Sequence, residues 1–229
     1  MFYYYDSTYI LVLAAFLLSL FASFGVKSTF SKYKKVETSG RITGADAARR
    51  ILDMNGLHHI KVERVSGELT DHFDPRSNVI RLSDATHDDI SVAAVGVAAH
   101  EAGHAVQHAV GYLPIRIRNF IVPVVNIGSQ LSMPLFIIGL IFNMTGLAFA
   151  GIVLFSLALL FQLITLPVEL NASSRAIKIL DESNMLFDDE IKPAKKVLKA
   201  AAMTYVAAVA ATALQLLRLV IILNRRRND

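Results

Sequence analysis

The chain has 229 residues, 54% of them apolar and 18% charged, with a formal charge of +4 and a mean hydropathy of +0.47. Globular domains carry about 25% charged residues, so this balance excludes a disordered chain and argues against an ordinary soluble one. The lack of cysteine removes disulfide frameworks, thiolate zinc sites and cysteine nucleophiles. The basic residues flank apolar runs instead of forming one stripe, which points to a membrane and away from nucleic acid.

In chain order, residues 8–26 come first, a run of 19 without a charge. As a helix it is about 28 Å long, close to the hydrocarbon thickness of a bilayer. A cleavable signal peptide needs a positive segment before it, and the only charged side chain there is Asp6. Residues 1–26 are therefore expected to be a transmembrane anchor. Lys27, Lys32, Lys34, Lys35 and Arg41 follow. Positive charge stays on the cytoplasmic side, which places the chain beyond Val26 in the cytoplasm.

Residues 27–118 read as a small α+β unit. Thr43 with Asp46 three residues on marks a helix start, and Gly56 a helix stop. Residues 59–65 alternate apolar and polar with the period of a half-buried strand. Residues 69–73 and 79–82 flank the turn cluster Asp74-Pro75-Arg76-Ser77-Asn78, which predicts a hairpin. Residues 90–110, rich in Ala and Val, predict a helix, with Asp88 and Asp89 at its positive end.

No charge occurs over the 50 positions between Arg118 and Glu169. One helix of that length would be about 75 Å long, more than twice the bilayer core. Residues 119–168 must therefore fold back, with helices over 120–142 and 147–166, a turn at Asn143-Met144-Thr145-Gly146 and a bend at Pro134. A hairpin returns the chain to its starting side, so the helical segment 169–199 is expected in the cytoplasm too. Residues 200–217 are barely long enough to span. Lys192, Lys195, Lys196 and Lys199 precede them, and Arg218, Arg225, Arg226 and Arg227 follow. Charge does not orient this segment, so residues 200–229 are either a fourth span with a basic tail or a helix on the hairpin or at the interface. The fold class is a mainly α membrane protein with three or four transmembrane helices and a small α+β unit.

The helix over 90–110 carries VAAHEAGHAVQH. His100 and His104 are one turn apart, so both imidazoles leave one face, as two nitrogen ligands of a tetrahedral Zn²⁺ do. Glu101 can reach a water on such an ion without occupying a coordination position, the place of a general base. The alternative is an amphipathic helix with two solvated histidines. Apolar flanks on both sides make unpaired histidines and a carboxylate costly there. A catalytic zinc needs a third protein ligand. His108 lies about 12 Å along a continuous helix from His100, too far to share one ion. The metzincin pattern fails, since Gln107 and Val110 stand where its Gly and third His would be. Glu169, at the exit of the hairpin, is the better candidate, although a solvated helix-end carboxylate reads the same way.

HExxH, a transmembrane hairpin and then Glu-Leu-Asn-Ala-Ser is similar to the layout of the membrane gluzincins, the HtpX heat-shock protease and CAAX prenyl endopeptidase group. There the Glu of an E-x-x-A-D motif is the third ligand. More closely, VKSTFSKY, GELTDHFDP, AAHEAGHAVQH, NIGSQL and LPVELNASSRA resemble the YugP-type neutral zinc metallopeptidases of bacterial membranes, over nearly the whole chain. The resemblance implies a multi-pass protein of the bacterial plasma membrane with a zincin-like unit and one Zn²⁺ per chain. It implies His100, His104 and Glu169 as ligands and Glu101 as base. The gluzincin Asp, four beyond the ligand Glu, is Ser173 here, which can accept a ligand histidine's hydrogen bond more weakly. No histidine follows His108 to donate to an oxyanion, so Tyr205 or Arg175 would stand in. His72, on the strand pair before the HExxH helix, either contacts substrate backbone by strand addition or packs at a sheet edge.

The expected activity is a zinc endopeptidase acting on peptides or membrane proteins from within the bilayer, its site facing the cytoplasm. A non-catalytic membrane adaptor with a structural metal is the second reading, and it predicts four protein ligands. A transporter is the third, but intramembrane charges would mark its pathway and the hairpin has none.

Overall fold

The computed structural model describes residues 7–228. In order the elements are α1 (Tyr9–Tyr33), α2 (Gly44–Met54), β1 (Lys61–Val65), β2 (His72–Asp74), β3 (Val79–Ser83), α3 (Val92–Ala109), α4 (Leu113–Ile141), α5 (Thr145–Glu182) and α6 (Asp188–Asn228). The chain divides into two compact units. Of the described residues, one comprises 7–23, 117–166 and 204–228, the other 24–116 and 167–203.

The first unit is built from apolar helix. Among the described residues, four helices are long and apolar enough to cross a membrane: Tyr9–Tyr33, Leu113–Ile141, Thr145–Glu182 and Asp188–Arg226. The fold is a mainly α membrane protein with a small α+β portion, as expected, and residues 200–217 form part of the fourth such helix. The α4–α5 turn falls where the sequence puts it, and Asn143 takes the left-handed conformation (φ 57°) that reverses the chain. Small residues let the two helices touch, since a Cβ on Gly151 would come within 2.6 Å of the Ser132 carbonyl oxygen. Phe136, Ala148, Ile152, Leu219 and Leu223 fill the space between α4, α5 and α6.

The second unit holds the sheet, with strand order β1-β3-β2. β2 and β3 form the expected antiparallel hairpin, with Phe73 opposite Ile80. β1 joins on the far side of β3, parallel to it, with Val62 opposite Ile80. That pairing passes over β2, the next strand in sequence, and leaves no local trace in sequence. Thr43 caps α2, its hydroxyl accepting from the Asp46 N–H and the Asp46 carboxylate accepting from the Thr43 N–H. Gly56 (φ 70°) follows the helix end. Ser91 caps α3, accepting from the Ala94 N–H at 3.2 Å. Ile51, Leu52, Ile80, Leu82, Val95, Ala99, Leu180 and Leu198 form one core around α3.

The structure extends α1 to Tyr33 and starts α4 at Leu113, earlier than position 120, and at two places it joins segments the sequence reading separates. The second hairpin helix was expected to end near Leu166 with a new segment opening at Glu169. Instead α5 runs unbroken through Pro167 to Glu182, so Glu169 lies inside a helix and not at its start. Residues 188–199 and 200–228 are likewise one helix, α6. Proline lacks one backbone donor, and a well-packed helix carries that single loss.

Candidate metal centre

The centre is assembled by two helices of the second unit. α3 is continuous from Val92 to Ala109, so His100 and His104 leave one face, their ring centroids 4.7 Å apart and their planes at 83°. α5 passes close by because nothing larger than hydrogen stands at position 103. A Cβ on Gly103 would lie 2.8 Å from the Ala172 carbonyl oxygen. Ala172 and Ala176 are fully buried on the facing side of α5. This close approach puts Glu169, one turn before Ala172, against the two histidines.

Glu169 is 3% exposed, and its Oε2 lies 3.3 Å from Nε2 of both His100 and His104. The ligand atoms of the three residues all fall within 4.8 Å of one another. Neither imidazole is aligned to hydrogen-bond Oε2, which has no hydrogen-bond partner although fully buried. A buried carboxylate oxygen left without a donor is costly. A tetrahedral ion with bonds of about 2.0–2.1 Å holds neighbouring donors about 3.3 Å apart, so a cation fits the donor set and would satisfy the orphaned oxygen.

The far nitrogens of both rings are held. His100 Nδ1 is 3.1 Å from the Ser173 hydroxyl, and His104 Nδ1 is 3.0 Å from Gln107 Oε1. Gln107 is fully buried. Its amide donates to the Val168 carbonyl at 2.8 Å and to Asn171 Oδ1 at 3.0 Å. Both amide protons are thereby used, so Oε1 must accept, and the His104 proton must sit on Nδ1. That leaves the Nε2 lone pair aimed at Glu169, the tautomer a metal ligand needs. Burial opposes charge on His104, but Glu169, Glu101 and Gln107 together outweigh it and hold the imidazole's pKa above its ordinary value.

Sequence reasoning named Gln107 only as a failed metzincin position, and it missed Asn171 altogether. The signal was available for Gln107, three residues beyond His104 and so on the same helix face.

Glu101 is buried on α3, 8% exposed. Arg175 donates from Nε to Asn171 Oδ1 at 2.8 Å and lies over the Tyr112 ring at 5.9 Å, in the same unit as the three donors. Tyr205 belongs to the other unit. His72 begins β2, an edge strand, and its Nδ1 contacts the Thr70 carbonyl at 2.8 Å. His108 is exposed on the same unbroken helix, edge-on to the Phe73 ring at 6.1 Å.

No solved structure matches the chain. A protein of Bacillus subtilis (strain 168) named "Putative membrane protease YugP" is 48% identical over 219 residues, covering 96% of this chain and 97% of that one. The family described as "Putative neutral zinc metallopeptidase" matches residues 8–224. A match over nearly the full length places the chain in the family described as "Putative neutral zinc metallopeptidase".

Proposed function

We propose that this chain is a membrane-embedded zinc-dependent endopeptidase. The observation that carries the reading is the convergence of His100, His104 and the orphaned Glu169 Oε2 around one point. His100, His104 and Glu169 hold one Zn²⁺ per chain. A zinc ion so held supplies Lewis-acid polarisation of a carbonyl and acidifies a water. Three protein donors leave a fourth position for substrate chemistry, whereas a structural site would close it. Glu101 takes the proton of the attacking water and passes it to the leaving amine. Ser173 and Gln107 keep each imidazole in the required tautomer. Arg175 donates to the developing oxyanion. The edge strand β2, with His72 at its start, aligns the substrate backbone by strand addition.

The lysines after the first span and the closed hairpin support a site facing the cytoplasm in the bacterial plasma membrane. Substrates are peptides or membrane proteins, and nucleic acid has no part. Zinc content by mass spectrometry of the purified protein tests the ligand set. Wild type and His108→Ala should hold one equivalent after dialysis against a weak chelator, and Glu169→Ala should lose it. Retention by Glu169→Ala equal to wild type contradicts the assignment.

A further inference from the structure

We propose that a cationic pocket between α1 and α6 binds a phosphate group, carried by the headgroup of an anionic phospholipid. The pocket has a volume of about 420 Å³ and is lined by Ser28, Thr29, Lys32 and Tyr33 of α1 and Lys196, Lys199, Ala200 and Met203 of α6. All of these residues lie in one compact unit, and none belongs to the metal centre.

Its place along both helices is the first argument. Lys27 is the first charge after the apolar run of residues 8–26, so Ser28, Thr29 and Lys32 occupy the first two turns beyond the hydrocarbon. On α6 the order is reversed: Lys199 is the last charge before the charge-free residues 200–217. Both segments therefore pass through the headgroup level, their lysines and hydroxyls on the water side and Met203 on the apolar side. Basic pockets between helices at this level suit phosphate headgroups.

The chemistry is the second argument. Lys196, Lys199, Ala200 and Met203 recur at i, i+3, i+4 and i+7 and so share one helix face. Among the described residues, no carboxylate pairs with Lys32, Lys196 or Lys199, whereas Lys178 on α5 does pair with Glu182. Tyr33 is 8% exposed, and the Lys32 ammonium lies 5.4 Å from its ring centroid, which gives this lysine a fixed wall. Three like charges around one cavity repel, and an anion between them relieves that repulsion. The ammonium groups act as phosphate partners, and Ser28 and Thr29 add neutral donors.

The test is equilibrium binding of a fluorescent short-chain phosphatidylglycerol to the full-length protein in an uncharged detergent. The triple variant Lys32→Gln/Lys196→Gln/Lys199→Gln should bind on the order of 100-fold more weakly, each lysine near an anionic headgroup accounting for roughly five-fold. Lys35→Gln/Lys61→Gln/Lys192→Gln removes the same charge elsewhere and should stay within about three-fold of wild type. The single variant Lys199→Gln, with an expected loss of roughly five-fold, serves if the pocket triple does not keep wild-type helicity. Equal losses in both triples would mean diffuse attraction, and no loss in the pocket variants would mean no site. A fluorescent phosphatidylcholine binding as tightly would remove the need for net negative charge. Inorganic phosphate competing at the lipid's own concentration would make free phosphate the ligand. Each of these four results overturns the proposal.

Discussion

Gly103→Ala tests whether close approach of α3 and α5 builds the metal centre. The added Cβ would meet the Ala172 carbonyl oxygen at 2.8 Å, its carbon at 3.4 Å and its Cα at 3.5 Å. These are backbone atoms of a helix and cannot rotate aside, so the helices must separate by roughly half an ångström to restore ordinary contact. Overpacking of this kind costs about 1–3 kcal/mol. Ala172 lies one turn from Glu169 on the same helix, so the shift carries Oε2 away from both imidazoles, now at 3.3 Å. Metal–ligand distances tolerate about 0.2 Å, and misplacing a ligand's support costs about 10–100-fold in metal affinity. We expect Gly103→Ala to bind zinc 10–100-fold more weakly in competition against a fluorescent chelator and to melt at a lower temperature. Gly25→Ala is the control, because nothing lies within 4 Å of a Cβ there, and it should match wild type in zinc affinity. A Gly103→Ala protein with wild-type zinc affinity and melting temperature would refute the reasoning.

Gln107→Leu keeps volume but strands the His104 Nδ1–H. Zinc affinity should fall about 10–100-fold, and an unchanged value would show that Gln107 does not orient His104. Hydrogen bonds from the Ser77 hydroxyl and the Arg76 N–H hold the Asp74 carboxyl down at about 2, below its ordinary 3.8. Because the folded value is the lower one, this contribution to stability is complete above the ordinary value and is lost as pH falls from about 4 to about 2. Asp74→Asn should therefore show a shallower fall of melting temperature with acid across that window than wild type, and equal slopes would contradict it. Reporters fused after Lys35 and after Lys178 should both read cytoplasmic, since one span followed by a hairpin preserves the side. An external signal at either site removes the orientation, and opposite signals remove the hairpin.

What the sequence made legible was local. The Thr43–Asp46 capping box, the turn around Asn143, the hairpin about Asp74 and the shared face of His100 and His104 all depend on residues within a few positions of one another. The fit of residues 200–217 into a long α6 was left open because their flanking charges balance. What stayed hidden depends on contacts between distant segments. The parallel pairing of β1 with β3 skips over β2, and the seat of Gln107 against Val168 and Asn171 arises only when α5 packs on α3. Glu169 was expected at a helix start because composition changes from apolar to polar at Pro167. The polarity change is real, but packing on both sides of the proline keeps the helix whole. Gly103 could have been read as a close-approach position, although nothing in the motif says which helix approaches.

Glu101→Gln tests the central claim most directly, because it removes the proposed base and leaves every proposed ligand in place. The measurement is the rate of peptide-bond cleavage in a denatured protein substrate, by wild type and by the variant, each at verified full zinc occupancy. Wild type should cleave, and the variant should be slower by about 10²–10⁴-fold, the usual contribution of a general base. A zinc-loaded Glu101→Gln protein that cleaves at near the wild-type rate would contradict the account.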